Sequence, residues 1–316
     1  MNESDIYQKI LSIFYPIFFV STITVQILLL YLIIFHSPKA LQSIRLILIN
    51  TSIVQIILCT VCCFSQYRMI TTQVPVVLRS YGYCRHYPAH ICFILYEVLQ
   101  TTSFTGGMSI VITFYFKYRI IKMTFLTTSH MLKSFALFHI PVMISILSET
   151  YMVFDQSLPS EIVQEYQVKN VGYTDYIEIG VLKLKSIPSA INFIIISGSV
   201  FVLPPLSLYF RNQIMKHINS RISSKRQQIS QRFLSGLTIQ AILPILFYVP
   251  LFSLYLYCII TKEEVLFQQY MMTVISSLPA LIDPILAIFF ITPYRNRITS
   301  WIKKKPNDDS RVFTRT

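Results

Sequence analysis

Seven apolar blocks, at about 10–35, 45–65, 88–116, 134–154, 188–210, 234–260 and 269–292, take up most of this 316-residue chain. A helix needs about 20 mostly apolar residues to cross the hydrocarbon core of a bilayer, and every block reaches that length. The composition agrees: 53% of residues are hydrophobic and 13% charged, with a mean hydropathy of +0.56, on the apolar side of an ordinary soluble domain. A transmembrane barrel does not fit, because its strands alternate over about 10 residues whereas these blocks are long unbroken runs rich in Ile and Leu. The chain therefore reads as an all-α membrane protein, a seven-transmembrane helix bundle forming one domain over 1–316, with a basic amphipathic tail over 293–316. The first block follows Glu3 and Asp5 rather than a basic leader and is too long for the apolar part of a cleavable signal, so it reads as a retained span.

The formal net charge of +13 is unevenly placed. Lys39 and Arg45 fall between the first two blocks, and Lys117, Arg119, Lys122 and Lys133 between the third and fourth. Arg211, Lys216, Arg221, Lys225, Arg226 and Arg232 fall between the fifth and sixth, and with those of the tail 19 of the 27 basic residues lie on one side. Basic loops face the cytoplasm, which puts the N-terminus outside and the C-terminus inside; an odd number of spans also requires opposite sides. The cationic side suits anionic inner-leaflet lipid. Nucleic acid is excluded as a partner, since no basic stretch belongs to a soluble fold that could present it.

Three acids interrupt the blocks: Glu97, Glu149 and Asp283. A charge at mid-bilayer costs about 3 kcal/mol on insertion scales, so such residues face the bundle interior and find partners there. Glu97 opens a helical face continued by Gln100, Thr101 and Phe104 at i+3, i+4 and i+7. A carboxyl, an amide, a hydroxyl and a ring on one face are the lining that a small-molecule pocket uses. Tyr248, Phe252 and Tyr255 supply a comparable face in the outer half of the sixth block. These seven are the expected ligand-binding residues, while Glu149 lies near enough to the outer end of its block to reach the headgroups.

Pro16, Pro141, Pro204, Pro205, Pro244, Pro250, Pro279 and Pro284 interrupt the blocks, and each removes a backbone hydrogen bond and bends its helix. In SLPALIDPILAIFFITPYR a carboxylate stands beside one of them. Such a pair can hold polar groups between helices in one arrangement and release them in another, so Asp283 and Pro284 are expected to form a conformational switch. The segment PYRNRITSWIKKKP then places Ile298, Trp301 and Ile302 at helical spacing among basic residues, as in a short helix lying in the inner interface. Asn2-Glu3-Ser4 is a glycosylation sequon on the outer side; Asn50-Thr51-Ser52 also matches but lies inside the second span.

Together these features resemble a G protein-coupled receptor, and in detail the nematode serpentine chemoreceptors, the Srd family most of all. The resemblance is carried by HSPKALQSIRLILINTSIVQ, FSQYRMI, YGYCRHYPAHICFILYE, TFYFKYRII and LPALIDPILAIFFITPYR. It implies a receptor in the plasma membrane of sensory cilia that binds an external small molecule and signals to a heterotrimeric G protein, with no cofactor, no metal and no chemistry of its own. Arg211, Lys216, Arg221, Lys225 and Arg226, in RNQIMKHINSRISSKRQQISQR, would meet the G protein. Arg119 stands in Lys117-Tyr118-Arg119 where rhodopsin-like receptors carry an acid-Arg-Tyr triplet, so it is either a switch residue or a topology charge. Ala287 replaces the tyrosine that follows the span-seven proline by three residues. Rhodopsin-type receptors tie the position of Cys84 to the second outer loop, but 155–187 has no cysteine, so Cys84 either pairs with Cys63 or is free.

Two other classes fit less well. A ligand-gated channel or transporter should show broken helices repeated between halves or a ring of acids, and neither is present. An intramembrane enzyme would need His139 and Glu149 to cooperate, yet ten residues place them about 280° apart around a helix, with no accompanying nucleophile or metal-ligand spacing.

Overall fold

The computed structural model describes residues 3–37, 45–71, 76–122, 128–157, 176–221 and 224–303, and their side chains apart from 121, 128–131, 218–221, 224–234, 237 and 244. The bundle is built from α1 (Glu3–His36), α2 (Arg45–Ser65), α3 (Ala89–Lys122), α4 (Thr128–Gln156), α5 (Ile187–Arg221), α6 (Ser224–Thr261) and a broken seventh span, α7 (Leu266–Ser277) and α8 (Pro279–Phe290). A short helix α9 (Thr292–Ile302) follows, where the basic amphipathic pattern predicts one; the rest of the tail beyond Lys303 lies outside the described residues.

Among the described residues six spans, counting α7 and α8 as one, are long and apolar enough to cross a membrane. The exception is α3, and its position explains why: it packs against α2, α4, α5, α6 and the strand Ile177–Leu182, so protein rather than lipid covers most of it. Its buried hydroxyls cost little because they bond to their own helix, Thr105 to the Thr101 carbonyl at 2.7 Å and Thr113 to the Ser109 carbonyl at 2.7 Å. Elsewhere Ile13, Ile17, Leu147, Ile194 and Leu246 point outward, the arrangement that a hydrocarbon solvent favours.

The helices outrun their apolar blocks. α5 continues to Arg221 and α6 starts at Ser224, so most of the expected loop 211–232 is helical; its Lys, Arg and Gln residues are strong helix formers and no glycine or proline ends either helix there.

The chain is mostly helical, and not all-α as expected. β1 (Tyr67–Ile70), β2 (Val76–Ser80) and β3 (Ile177–Leu182) form an antiparallel sheet in the order β1-β2-β3, roofing one end of the bundle. Tyr67 pairs with Ser80 and Ile70 with Val77, while Val76 pairs with Leu182 and Ser80 with Ile177. A bulge lies at Leu78/Arg79. It shifts the two-residue alternation, so that Ile177, Ile179 and Leu182 are all buried. Glycines let the roof rest directly on the helices: a Cβ at Gly180 would stand 2.4 Å from the Phe93 ring, and one at Gly82 would stand 2.3 Å from the Phe64 carbonyl oxygen.

The turn Tyr83–His86 leads into α3, and Cys84 there is joined to Cys92 in the first turn of that helix. This corrects the expected choice between a Cys63–Cys84 pair and a free Cys84. The turn folds back over the start of α3 and brings the two Cα atoms to 5.7 Å, within the reach of a disulfide. Cys63 is a free thiol directed at the Tyr15 carbonyl of α1. Two cores result, one under the roof around Tyr15, Tyr67 and Phe93, the other at the far end around Leu32, Phe114, Phe116 and Tyr294.

Candidate functional site

A cavity of about 160 Å³ lies beneath the roof, bounded by α3, α5, α6 and α7. It is close in size to an apolar cavity of about 150 Å³ that accepts benzene. On α3 its wall includes Tyr96, Gln100, Ser103, Phe104 and Gly107, a single stripe at helical spacing. α6 contributes Tyr248, Phe252 and Tyr255, α5 contributes Asn192, Phe193 and Leu203, and Met69 and Leu182 close it from the roof. No Asp, Glu, Lys, Arg or His lines it among the described residues.

Five of the seven expected residues, Gln100, Phe104, Tyr248, Phe252 and Tyr255, therefore share this cavity. Glu97 and Thr101 do not. Each follows a lining residue by one position, which turns it about 100° around the helix. The Thr101 hydroxyl instead donates to Oε2 of Glu149 on α4. Glu149 is buried rather than at the headgroups, a correction that follows from its partners: Ser145 Oγ lies 3.0 Å from Glu149 Oε1 and 2.6 Å from Asn192 Oδ1. The single hydroxyl proton of Ser145 can serve only one of these acceptors at a time. Asn192 Nδ2 then donates to Gln100 Oε1 at 3.0 Å, so a polar chain runs from Glu149 to the cavity wall. Glu97 is 4% exposed, and neither of its carboxylate oxygens has a hydrogen-bond partner among the described residues. Of the three acids expected to find partners in the interior, it alone lacks one among the described residues.

The second expected element lies further along the seventh span, around Asp283 in α8. Gln55 Nε2 donates to Asp283 Oδ2 at 2.6 Å, and Gln26 Nε2 lies 2.7 Å both from Gln55 Oε1 and from the Ala280 carbonyl. That carbonyl stands four residues before Pro284, which has no N–H to give it; the Gln26 amide takes the vacant place. The break in the span is not at Pro284, which sits inside α8, but at Leu278, just before Pro279. There the ladder tightens, and Leu278 N–H bonds to the Ile275 carbonyl at 3.3 Å. Tyr248 ties the two regions together: its ring lines the cavity and its hydroxyl donates to the Ser276 carbonyl at 2.9 Å.

Of the remaining expected residues, those with described side chains are not drawn into either place. Arg119 is partly buried in the last turn of α3 and takes no part in the Asp283 network. Arg211 Nε donates to Thr238 Oγ1 at 3.3 Å, joining α5 to α6, and Lys216 follows on α5. The side chains of Arg221, Lys225 and Arg226, and the whole of Asn2, lie outside the described residues. Sequence reasoning missed Asn192, the one amide in the run INFIIISGSV, and could have found it on that ground. It had no comparable signal for Met69 and Leu182, which reach the cavity only because the loops that carry them pair as strands.

Comparison with known proteins places this arrangement. The family profile described as serpentine type 7TM GPCR chemoreceptor Srd matches residues 11–300. Serpentine receptor class delta-40 of Caenorhabditis elegans is 48% identical over 304 residues, covering 95% of each chain. Serpentine receptor class delta-47 of the same organism is 37% identical over 301 residues, 94% of this chain and 95% of its own. Squid rhodopsin superposes with a TM-score of 0.59 over 100% of this chain and 93% of its own, at 13% identity, a likeness of fold alone. The fold is that of a seven-transmembrane receptor integral to the membrane, in which α3 is the third span and completes the count of seven. The chain belongs to the Srd family of serpentine chemoreceptors, a class of G protein-coupled receptors.

Proposed function

We propose that this chain is a chemosensory receptor that binds an external small molecule in the cavity under the roof and passes a conformational change to a cytoplasmic heterotrimeric G protein. The observation that carries this reading is Tyr248, one side chain that both lines the cavity and bonds to the last turn of α7, two residues before the break. A ligand seated against that ring acts directly on the span that holds Asp283. It need only prefer one of two arrangements, and the population shifts by the difference in its affinities; about 1.4 kcal/mol changes the ratio tenfold.

In this reading Gln100, Phe104, Phe252, Tyr255 and Asn192 contact the ligand with Tyr248, and Asp283 with Pro284 forms the switch. The asymmetry of the basic residues supports an N-terminus and roof outside, Asn2 available for glycosylation, and a cationic inner side. There Arg119, Arg211, Lys216, Arg221, Lys225 and Arg226 face the G protein. The receptor is a single domain over 1–316 in the plasma membrane of sensory cilia. A chemical panel applied to cells expressing the chain, with a G-protein-dependent readout, tests it. A saturable response to a subset of compounds, lost in Gln100→Leu at equal surface level, is the expected result. Ligand-dependent current without any G protein would overturn it in favour of a channel.

A further inference from the structure

We propose that the cavity is filled from the bilayer by a neutral, lipid-partitioning molecule that passes between α5 and α6 at Phe201 and Phe252, and not by a water-borne molecule passing the roof. This rests on the reading of the cavity as the ligand site. The lining offers hydroxyls and amides but no charged side chain among the described residues, so a charged molecule would lose its hydration and gain no counter-charge. A neutral molecule of about benzene's bulk concentrates instead in hydrocarbon, by the hydrophobic effect.

The roof opposes entry from water. All four residues of β1 are buried, and Met69 and Leu182 cover the cavity directly. The close seats of Gly180 on Phe93 and of Gly82 on the Phe64 carbonyl leave the sheet no slack. Passage there requires ladder hydrogen bonds to break and the Cys84–Cys92 turn to move with them.

Between α5 and α6 the barrier is made of side chains alone. Phe252 lines the cavity and is 5% exposed, whereas Phe201 on α5 is 42% exposed on the outward face; their ring centroids are 6.3 Å apart. Phe193 completes the cluster at 6.2 Å from Phe252. α5 turns most of its apolar window outward, with 11% of it buried against 24% to 39% in α1, α2, α4, α6 and the span formed by α7 and α8. Beside Gly198 an added Cβ would meet nothing within 4 Å. Rotation of two rings at the outward-facing edge of the bundle breaks no hydrogen bond and is far faster than local unfolding of a sheet.

The test uses the full chain in lipid nanodiscs, which leave both aqueous faces open, with Ser103→Cys as a reporter in the cavity and Ser207→Cys as a second. Labelling rates are compared for the uncharged N-phenylmaleimide and the cationic trimethylammonioethyl methanethiosulfonate, each normalised to an exposed reference cysteine and corrected for the native thiols. The uncharged reagent should lead by about tenfold or more, its rate rising in Phe201→Ala, falling in Phe201→Trp and unchanged in Leu182→Ala. Equal normalised rates, or acceleration by Leu182→Ala with none by Phe201→Ala, would overturn the proposal. Labelling reads the route and not signalling. A receptor that responds to the panel yet labels from water loses only this proposal, and one that labels from lipid but drives no G protein loses only the previous one.

Discussion

Gln26 shows how a proline is accommodated in this bundle. Pro284 deprives the Ala280 carbonyl of its helical donor, and a side chain from a different span supplies the missing bond while also holding Gln55 against Asp283. Replacing it by leucine leaves that carbonyl buried and unpaired, a loss of about 1–3 kcal/mol. Thermal unfolding of the purified receptor should therefore show a clear fall for Gln26→Leu. Thr24→Val is the control, since Thr24 is exposed and its hydroxyl bonds only to the Val20 carbonyl of its own helix, and it should stay within about 0.5 kcal/mol of the parent. Asp283→Asn asks a different question of the same place. Asparagine keeps a carbonyl oxygen for the Gln55 amide but removes the carboxylate, so folding and surface level should hold while G-protein activation shifts more than ligand affinity. Equal changes in both would count against Asp283 as the switch.

The roof is where the sequence spoke least. Long apolar blocks and basic loops made the helices and their number legible, because hydrocarbon imposes a length on every span. The strands have no such constraint. β1 is four residues long and buried throughout, with no alternation to detect, and β3 carries a bulge that breaks its period. Spacing alone put Glu97, Gln100, Thr101 and Phe104 on one face, but it could not tell which neighbouring sector of α3 meets the cavity and which meets α4; packing decides that. The disulfide was illegible for a related reason, since the backbone turn that brings Cys84 to Cys92 is not a feature of either cysteine's surroundings. It gives a direct check on the roof. Cys84→Ser and the double variant Cys84→Ser/Cys92→Ser should destabilise equally, by about 2–3 kcal/mol, with Cys63→Ser within about 0.5 kcal/mol of the parent. Thermal unfolding under non-reducing conditions measures all three, and an effect of Cys63→Ser equal to that of Cys84→Ser would restore the pairing first expected.

Across the bundle, α1 and the residue after it hold the seventh span and the start of α9 at three heights. Ser4 Oγ lies 2.7 Å from the Tyr270 hydroxyl near the roof, with Tyr7 stacked on the same ring; Gln26 grips Ala280 in the middle; and Ser37 Oγ lies 2.6 Å from the Tyr294 hydroxyl beyond the end of α8. Arg68 of β1 adds a second hold on Tyr270, at 2.7 Å. A span fixed at both ends and at its middle cannot slide as a rod, so the motion left to it is bending at Leu278, between the upper two holds. Tyr248 bonds to Ser276 in that interval, which places it to convert a ligand's presence on α6 into a bend of the seventh span. Tyr248→Phe keeps the ring, and hence most of the ligand contact, but removes the hydroxyl. Ligand affinity should change little, while activation at saturating ligand should fall by as much as tenfold, the effect of losing a bond of about 1 kcal/mol or slightly more from one of two states. Tyr255→Phe, two turns along α6 on the same wall, should leave activation unchanged. Binding and G-protein activation measured on the same membranes separate the outcomes: unchanged activation in Tyr248→Phe would mean that the signal leaves the cavity by another helix.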